Sequence, residues 1–256
     1  SVSIYQKTLQ NLMALNKTDK SVFYSHYIAS IIMNMGNAYY VQGEYSDAYE
    51  YYNNSLTYLN KLTDINKFVY LPYMKLSLDN LNNISDTIGL PKELEKDILH
   101  LSQKIKDIAK ENINTYSHYI ASTIAKLADI YNNQNNFAEA ENYYKDAISY
   151  YYELYQNSHS SAYLIELTSN INNLGLLYMW NDDYKNALEN LLWSLKYQKN
   201  LARLTDNQIY NSMVIISSTN IATLYYKQSD YYNAIDYAGD ALELTRNLLH
   251  SHGRDT

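Results

Sequence analysis

Four stretches of this chain lie over one another without a gap: IIMNMGNAYYVQGEYSDAYEYYNNSL from Ile31, TIAKLADIYNNQNNFAEAENYYKDAI from Thr123, NINNLGLLYMWNDDYKNALENLLWSL from Asn170 and SSTNIATLYYKQSDYYNAIDYAGDAL from Ser217. No other feature restricts the fold as much, because a recurring unit has to bury its apolar face against copies of itself. One column is always small, holding Gly36, Ala128, Gly175 and Ala222. The column three residues on is always tyrosine, with Tyr39, Tyr131, Tyr178 and Tyr225. Further along stand Tyr45, Phe137, Tyr184 and Tyr231, then Ala48, Ala140, Ala187 and Ala234. The pair Ser55-Leu56 recurs as Ala147-Ile148, Ser194-Leu195 and Ala241-Leu242.

Apolar residues recur at helical spacing on both sides of a polar stretch such as Gln42-Gly43-Glu44 or Asn181-Asp182-Asp183, so each block reads as two amphipathic helices around a tight turn. The small column marks a close helix crossing, where a large side chain would hold the axes apart. With only six glycines and two prolines in 256 residues, a sheet-rich fold with many turns is disfavoured.

The order of small residue, tyrosine, aromatic, alanine and small residue resembles the tetratricopeptide repeat, although the family's leading Trp is replaced by Ile32, Ile124, Ile171 and Ser218. The resemblance implies an all-α, right-handed solenoid of antiparallel helix pairs. The repeats are long for that family, with the small column at 128, 175 and 222, 47 residues apart. Similar lengthened repeats occur in kinesin light chains and bacterial peptide-sensing regulators, which the phrase Ser117-His118-Tyr119-Ile120-Ala121-Ser122, echoing Ser25-His26-Tyr27-Ile28-Ala29-Ser30, also resembles.

From Gly36 to Ala128 is nearly two such spacings, so a degenerate copy is expected between them. The expected organisation is a second helix of a preceding repeat or cap at 1–20, then repeats at 21–65, 66–112 (degenerate), 113–158, 159–205 and 206–249, and a tail at 250–256. In the degenerate copy the first helix runs from Val69-Tyr70-Leu71 through Ile84, Gly89-Leu90-Pro91 makes the break, and the second helix spans Lys92 to about Asn112.

The formal charge is −7, and the 20 Lys and Arg residues are scattered, which argues against a nucleic-acid surface and towards neutral or basic partners. The absence of cysteine excludes disulfides and thiolate metal sites and fits a reducing cytoplasm. The opening Ser1-Val2-Ser3-Ile4-Tyr5-Gln6-Lys7 lacks the features of a signal peptide, and no run of about 18 apolar residues exists to span a membrane. The 31 tyrosines and many asparagines stand at buried and exposed positions alike, a matter of composition rather than function.

No phosphate loop, nucleophile elbow, His-Glu-x-x-His motif or cysteine nucleophile is present, so neither an enzyme nor a cofactor is expected. The six histidines, including His26 and His118 at equivalent helix starts, have no carboxylate or second histidine one turn away in a buried stretch, and no metal site is expected.

In a stacked array the first helix of each pair lines the concave side, where such proteins hold extended segments. On that flank stand Asn34, Lys126, Asn173 and Asn220 in one register, then Asn37, Asp129, Leu176 and Thr223, then Tyr40, Asn132, Met179 and Tyr226, with Trp180 and Lys227 beside them. An asparagine amide both donates and accepts, so a ladder of them could hold a peptide backbone without demanding particular side chains. Kinesin light chains and O-linked N-acetylglucosamine transferase look similar in having asparagine here. Leu176, Met179 and Trp180 mark the expected apolar pocket. The lysine, asparagine and arginine clamp of chaperone-binding relatives is not reproduced, as Met33 and Ala125 stand where its first lysine is expected.

The leading reading is a peptide-binding or protein-binding scaffold. A peptide-responsive sensor controlling an effector outside these residues is the second reading. A homo-oligomeric structural subunit, assembled through Tyr51, Tyr143 and Tyr150 to Tyr152 on the second helices, is the third.

Overall fold

In the computed structural model the chain is described over residues 2–18, 22–88, 92–204 and 208–252. These residues form ten α-helices and no strand: α1 (Val2–Thr18), α2 (Val22–Val41), α3 (Tyr45–Ile88), α4 (Lys92–Lys110), α5 (Ile113–Asn133), α6 (Phe137–Ser158), α7 (Ser161–Trp180), α8 (Tyr184–Leu204), α9 (Gln208–Lys227) and α10 (Tyr231–His252). They divide into two compact units, 1–123 and 124–256.

Every matched block turns in the same way. Four residues after the tyrosine column the backbone enters the left-handed region, at Gly43 (φ 78), Asn135 (φ 58), Asp182 (φ 60) and Ser229 (φ 62). The next residue's N–H then donates back to the tyrosine carbonyl, Glu44 to Tyr39 at 3.0 Å and Asn136 to Tyr131, Asp183 to Tyr178 and Asp230 to Tyr225 at 2.9 Å. This bond closes the first helix and satisfies a carbonyl that would otherwise lack a partner. In the last two turns the aspartate also caps the second helix: Asp183 accepts from the Asn186 N–H and Asp230 from the Asn233 N–H, both at 3.2 Å.

Above the turn the two helices cross at the small column. A Cβ added to Gly36 would lie 2.5 Å from the Tyr52 ring, and one added to Gly175 would lie 2.8 Å from Leu191 Cγ. The tyrosine column then stacks on the second helix: Tyr39 on Tyr51 at 5.1 Å, Tyr131 on Tyr143 at 5.3 Å and Tyr225 on Tyr237 at 5.7 Å between centroids. Higher still, Ser55 donates to the Ala29 carbonyl at 2.9 Å and Ser194 to the Thr168 carbonyl at 2.8 Å, both buried.

In unit 1, α3 is two helices joined at a kink at Asn66 (φ −148, ψ 90). The Asn66 side chain accepts from the Val69 N–H at 3.3 Å and so caps the second segment. Pro72 inside that segment has no N–H for the Phe68 carbonyl. The Tyr116 hydroxyl donates to that carbonyl at 3.3 Å, and its ring stacks on Phe68. Here the helix expected from Val69 through Ile84 runs on through a proline, held by a tyrosine of α5, and α4 occupies the place of the second expected helix. The expected break at Gly89-Leu90-Pro91 lies outside the described residues.

In unit 2 the first helix of one pair covers the pair before it. Leu174 and Leu177 of α7 cluster with Ala128, Ala140 and Tyr144 of α5 and α6. Val214, Ile221 and Leu224 of α9 cluster with Met179, Ala187, Leu191 and Leu195 of α7 and α8.

Gly43 and Gly36 separate conformation from space. Nothing lies near a Cβ added at Gly43, so Gly43→Ala meets only the positive φ and should cost about 1 kcal/mol. Gly36→Ala must displace the Tyr52 ring and should cost about 1–3 kcal/mol. Urea unfolding midpoints measure both, and near-ultraviolet circular dichroism should change only for Gly36→Ala.

Candidate binding face

The expected face divides once the side chains are placed. In unit 1, Asn34 and Asn37 are exposed on α2. Asn37 Oδ1 accepts from the Tyr52 hydroxyl at 2.8 Å and from Asn80 Nδ2 at 3.3 Å. Tyr40 is half-buried and packs edge-on against Tyr45. In unit 2, Asp129 repeats the Asn37 arrangement with a charge, its Oδ1 accepting from the Tyr144 hydroxyl at 2.7 Å. Lys126 Nζ lies 3.9 Å from the other carboxylate oxygen. The amides of Asn173 and Asn132 reach the same Tyr144 hydroxyl. A buried phenol thus ties α5, α6 and α7 into one polar knot.

Burial first, and the Asp129 carboxylate second, push the Tyr144 pKa far above the usual phenol range, whereas the two amides pull it down. Burial likewise pushes Tyr52 up to about 12, with Tyr40 adding to the shift.

On α9, Asn220 Nδ2 donates to Asn172 Oδ1 at 3.1 Å, joined by the Ser217 hydroxyl at 3.2 Å. The asparagine register is therefore part of the helix-to-helix wiring as well as of the surface. Trp180 at the end of α7 is 57% exposed, with Lys227 from the end of α9 over its ring at 4.8 Å. Leu176 is half-buried against the α7–α9 cluster.

Met179 does not line an open pocket. It is buried beneath α9, in the cluster with Val214, Ile221 and Leu224. Its register, which includes Tyr40, Asn132 and Tyr226, sits one step round the helix toward the next layer. Tyr226 is exposed and leans on Tyr231. The open flank follows a different line at i, i+3 and i+7: Asn34, Asn37 and Val41 on α2; Lys126, Asp129 and Asn133 on α5; Asn173, Leu176 and Trp180 on α7; Asn220, Thr223 and Lys227 on α9. Val41, which is strongly exposed, and Asn133 were missed by the sequence reading, although the column spacing that places Trp180 over Lys227 places them as well.

The second-helix tyrosines also differ from expectation as an assembly surface. Tyr51 and Tyr143 are half-buried in their stacks and Tyr151 is buried, leaving Tyr152 as the exposed ring of the set. His26 packs against Tyr27, Tyr70 and Tyr73, and burial lowers the pKa of His118, with Lys75 adding to the effect. Among the described residues no group of His, Asp and Glu is placed to hold a metal ion, and no helix is long and apolar enough to cross a membrane.

Removing the Tyr144 hydroxyl leaves a half-buried carboxylate without its phenol donor, so Tyr144→Phe should cost about 1–2 kcal/mol, more than Tyr52→Phe, whose acceptor is a neutral amide. The raised Tyr52 pKa favours the protonated phenol in the fold. Its stabilisation is complete below pH 10 and is lost as pH rises towards 12. Denaturant titrations at pH 9, 10.5 and 12 should show a shallower alkaline loss in Tyr52→Phe than in the parent chain.

The tetratricopeptide repeat family model matches residues 120–166 and 215–252. Among solved structures the chain is similar to BtubC (BKLC) from P. vanneervenii, with 18% identity, 96% of this chain and 90% of that one covered, and a TM-score of 0.68. It is also similar to a putative kinesin light chain of Podosopora anserina with nearly identical TPR-like repeats, at 13% identity, 85% and 94% coverage and a TM-score of 0.61. NprR in complex with its cognate peptide NprX aligns at 14% identity over 96% of this chain and 63% of that one, with a TM-score of 0.51. At such identities the likeness is one of fold. No curated protein sequence matches the chain. Residues 120–166 and 215–252 thus carry tetratricopeptide repeats, the blocks of both units share left-handed turns, small-residue crossings and tyrosine stacks, and the described residues have the all-helical fold of the kinesin light chain-like repeat proteins.

Proposed function

We propose that this chain is a protein-binding scaffold that holds an extended peptide along the open flank of α5, α7 and α9. Trp180 carries the reading: a large aromatic ring left more than half exposed between polar neighbours, with Lys227 above it, is the kind of anchor around which peptide affinity concentrates. Across unit 2 the flank changes character, from Lys126 and Asp129 on α5, to Asn173, Leu176 and Trp180 on α7, to Asn220, Thr223 and Lys227 on α9. A peptide with a basic residue opposite Asp129 and an apolar one at Trp180 fits that order, and the net charge of −7 favours such a ligand. The same fold in NprR is found with a bound cognate peptide, which supports the reading at the level of architecture. No catalytic group is needed for this role, and it suits a chain working inside the cell.

Panning a display library of random 12-residue peptides on the intact chain tests it. Recovered peptides should be enriched in Lys or Arg together with an apolar residue. Their affinity should fall at least tenfold in Trp180→Ala and in Asn173→Ala, with helicity unchanged. Equal binding by both variants would remove the flank as the site.

A further inference from the structure

In three of the four blocks the tyrosine column of the first helix meets a second tyrosine twelve residues on; in the fourth it does not. Tyr39 stacks on Tyr51, Tyr131 on Tyr143 and Tyr225 on Tyr237, the two rings lying 8°, 4° and 22° from parallel. In the α7–α8 pair the residue twelve on from Tyr178 is Asn190, and among the described residues no ring stacks on Tyr178. Asn190 turns its amide back onto its own helix, Nδ2 donating to the Asn186 carbonyl at 2.8 Å.

The missing ring leaves a space. Between α6, α7 and α8 an open cavity of about 420 Å³ is lined by Tyr178, Asn190 and Trp193 over buried Ile171 and Leu174. Neither neighbouring ring can close it. The Tyr178 hydroxyl is held by Glu141 Oε1 at 2.8 Å, an oxygen that also pairs with Lys145 Nζ at 2.6 Å, and Trp193 is stacked on Tyr197 at 4.1 Å. No stacking layer closes it either, because α7 already covers α5–α6 and α9 already covers α7–α8.

The other three blocks show which group belongs there. Each fills the position with tyrosine rather than another apolar residue, and in two of them the paired phenols also hydrogen-bond each other. Lys145 and Glu189 line the cavity, a donor for a phenol oxygen and an acceptor for its proton. Parallel-displaced rings attract beyond the area they bury, so a fixed, unstacked Tyr178 is a prepared platform. Lys145 is the cation of the lining and is already paired with Glu141. A free amino acid would bring a carboxylate without a counter-charge, whereas a residue within a chain brings neutral amides.

We propose that this cavity is a second binding site, separate from the open flank, that takes a tyrosine side chain of a partner polypeptide and stacks it on Tyr178 as Tyr51 stacks on Tyr39. The site shares no residue with the flank.

The test titrates the intact, ¹⁵N-labelled chain with N-acetyl-L-tyrosinamide, a tyrosine with neutral backbone ends. The chain has two tryptophans, so its indole N–H signals separate the two surfaces. The Trp193 signal should shift saturably while that of Trp180 stays in place, and the probe's ring protons should give intermolecular NOEs to Tyr178. Asn190→Tyr supplies the missing ring from within: affinity should fall by about tenfold or more, with a thermal melt no lower than the parent's. Asn190→Ala leaves the space open and should keep the binding. N-acetyl-L-leucinamide should bind about tenfold more weakly than the tyrosine probe. Absence of a saturable Trp193 shift overturns the proposal, as does binding undiminished in a folded Asn190→Tyr or equal affinity for the leucine probe. Should Asn190→Tyr not fold, the NOEs decide, and their absence overturns it. If free L-tyrosine binds more tightly than the amide, the occupant is the amino acid and the proposal fails.

Discussion

Two helices cross in this protein only because one residue in each pair has almost no side chain at the crossing. Tyr52 and Leu191 occupy the space that a Cβ on Gly36 or Gly175 would need, and this close approach sets everything above and below it. Below, it brings the tyrosine column near enough to the second helix to stack, while the left-handed turn returns the chain at the same height each time. Above, it lets Ser55 and Ser194 reach carbonyls of the first helix. A bulkier residue would sacrifice dispersion contacts across the whole pair, since close-packed interiors lose attraction steeply with added separation.

The side chain that enters the crossing decides what the exposed edge of the pair can be. Where it is tyrosine, as in Tyr52 and Tyr144, a buried hydroxyl demands an acceptor, and Asn37 and Asp129 on the first helix provide it. Where it is Leu191, the matching first-helix position is Leu176, and where it is Ala238 the position is Thr223. The polar or apolar character of the open flank is thus coupled to the core behind it. Asp129 cannot be read as a recognition residue alone, because it also satisfies a core phenol.

The sequence made the helix pairs, their turns and the crossings legible, because each depends on residues that recur in register. It was less able to say which face of a first helix stays open. Met179 and Trp180 are adjacent and both large and apolar, yet one is buried under α9 and the other is exposed. The difference of about 100° around the helix is resolved only by the direction in which the next layer stacks. Asn220 shows the same limit, since its partner Asn172 lies 48 residues away. Pro72 is the converse case: a residue that ordinarily ends a helix stands inside one because Tyr116 takes over the stranded Phe68 carbonyl.

Stacking in one direction also separates two kinds of surface that composition confuses. Residues at i, i+3 and i+7 of a first helix, such as Asn173, Leu176 and Trp180, lie along the flank and can be exposed in every layer. Residues one step round, such as Met179, are buried by the helix that stacks next. Trp180 stays exposed although α9 covers the pair it belongs to, whereas the adjacent Met179 is buried by that helix. A ligand on the flank meets a mixed polar and aromatic line suited to an extended backbone.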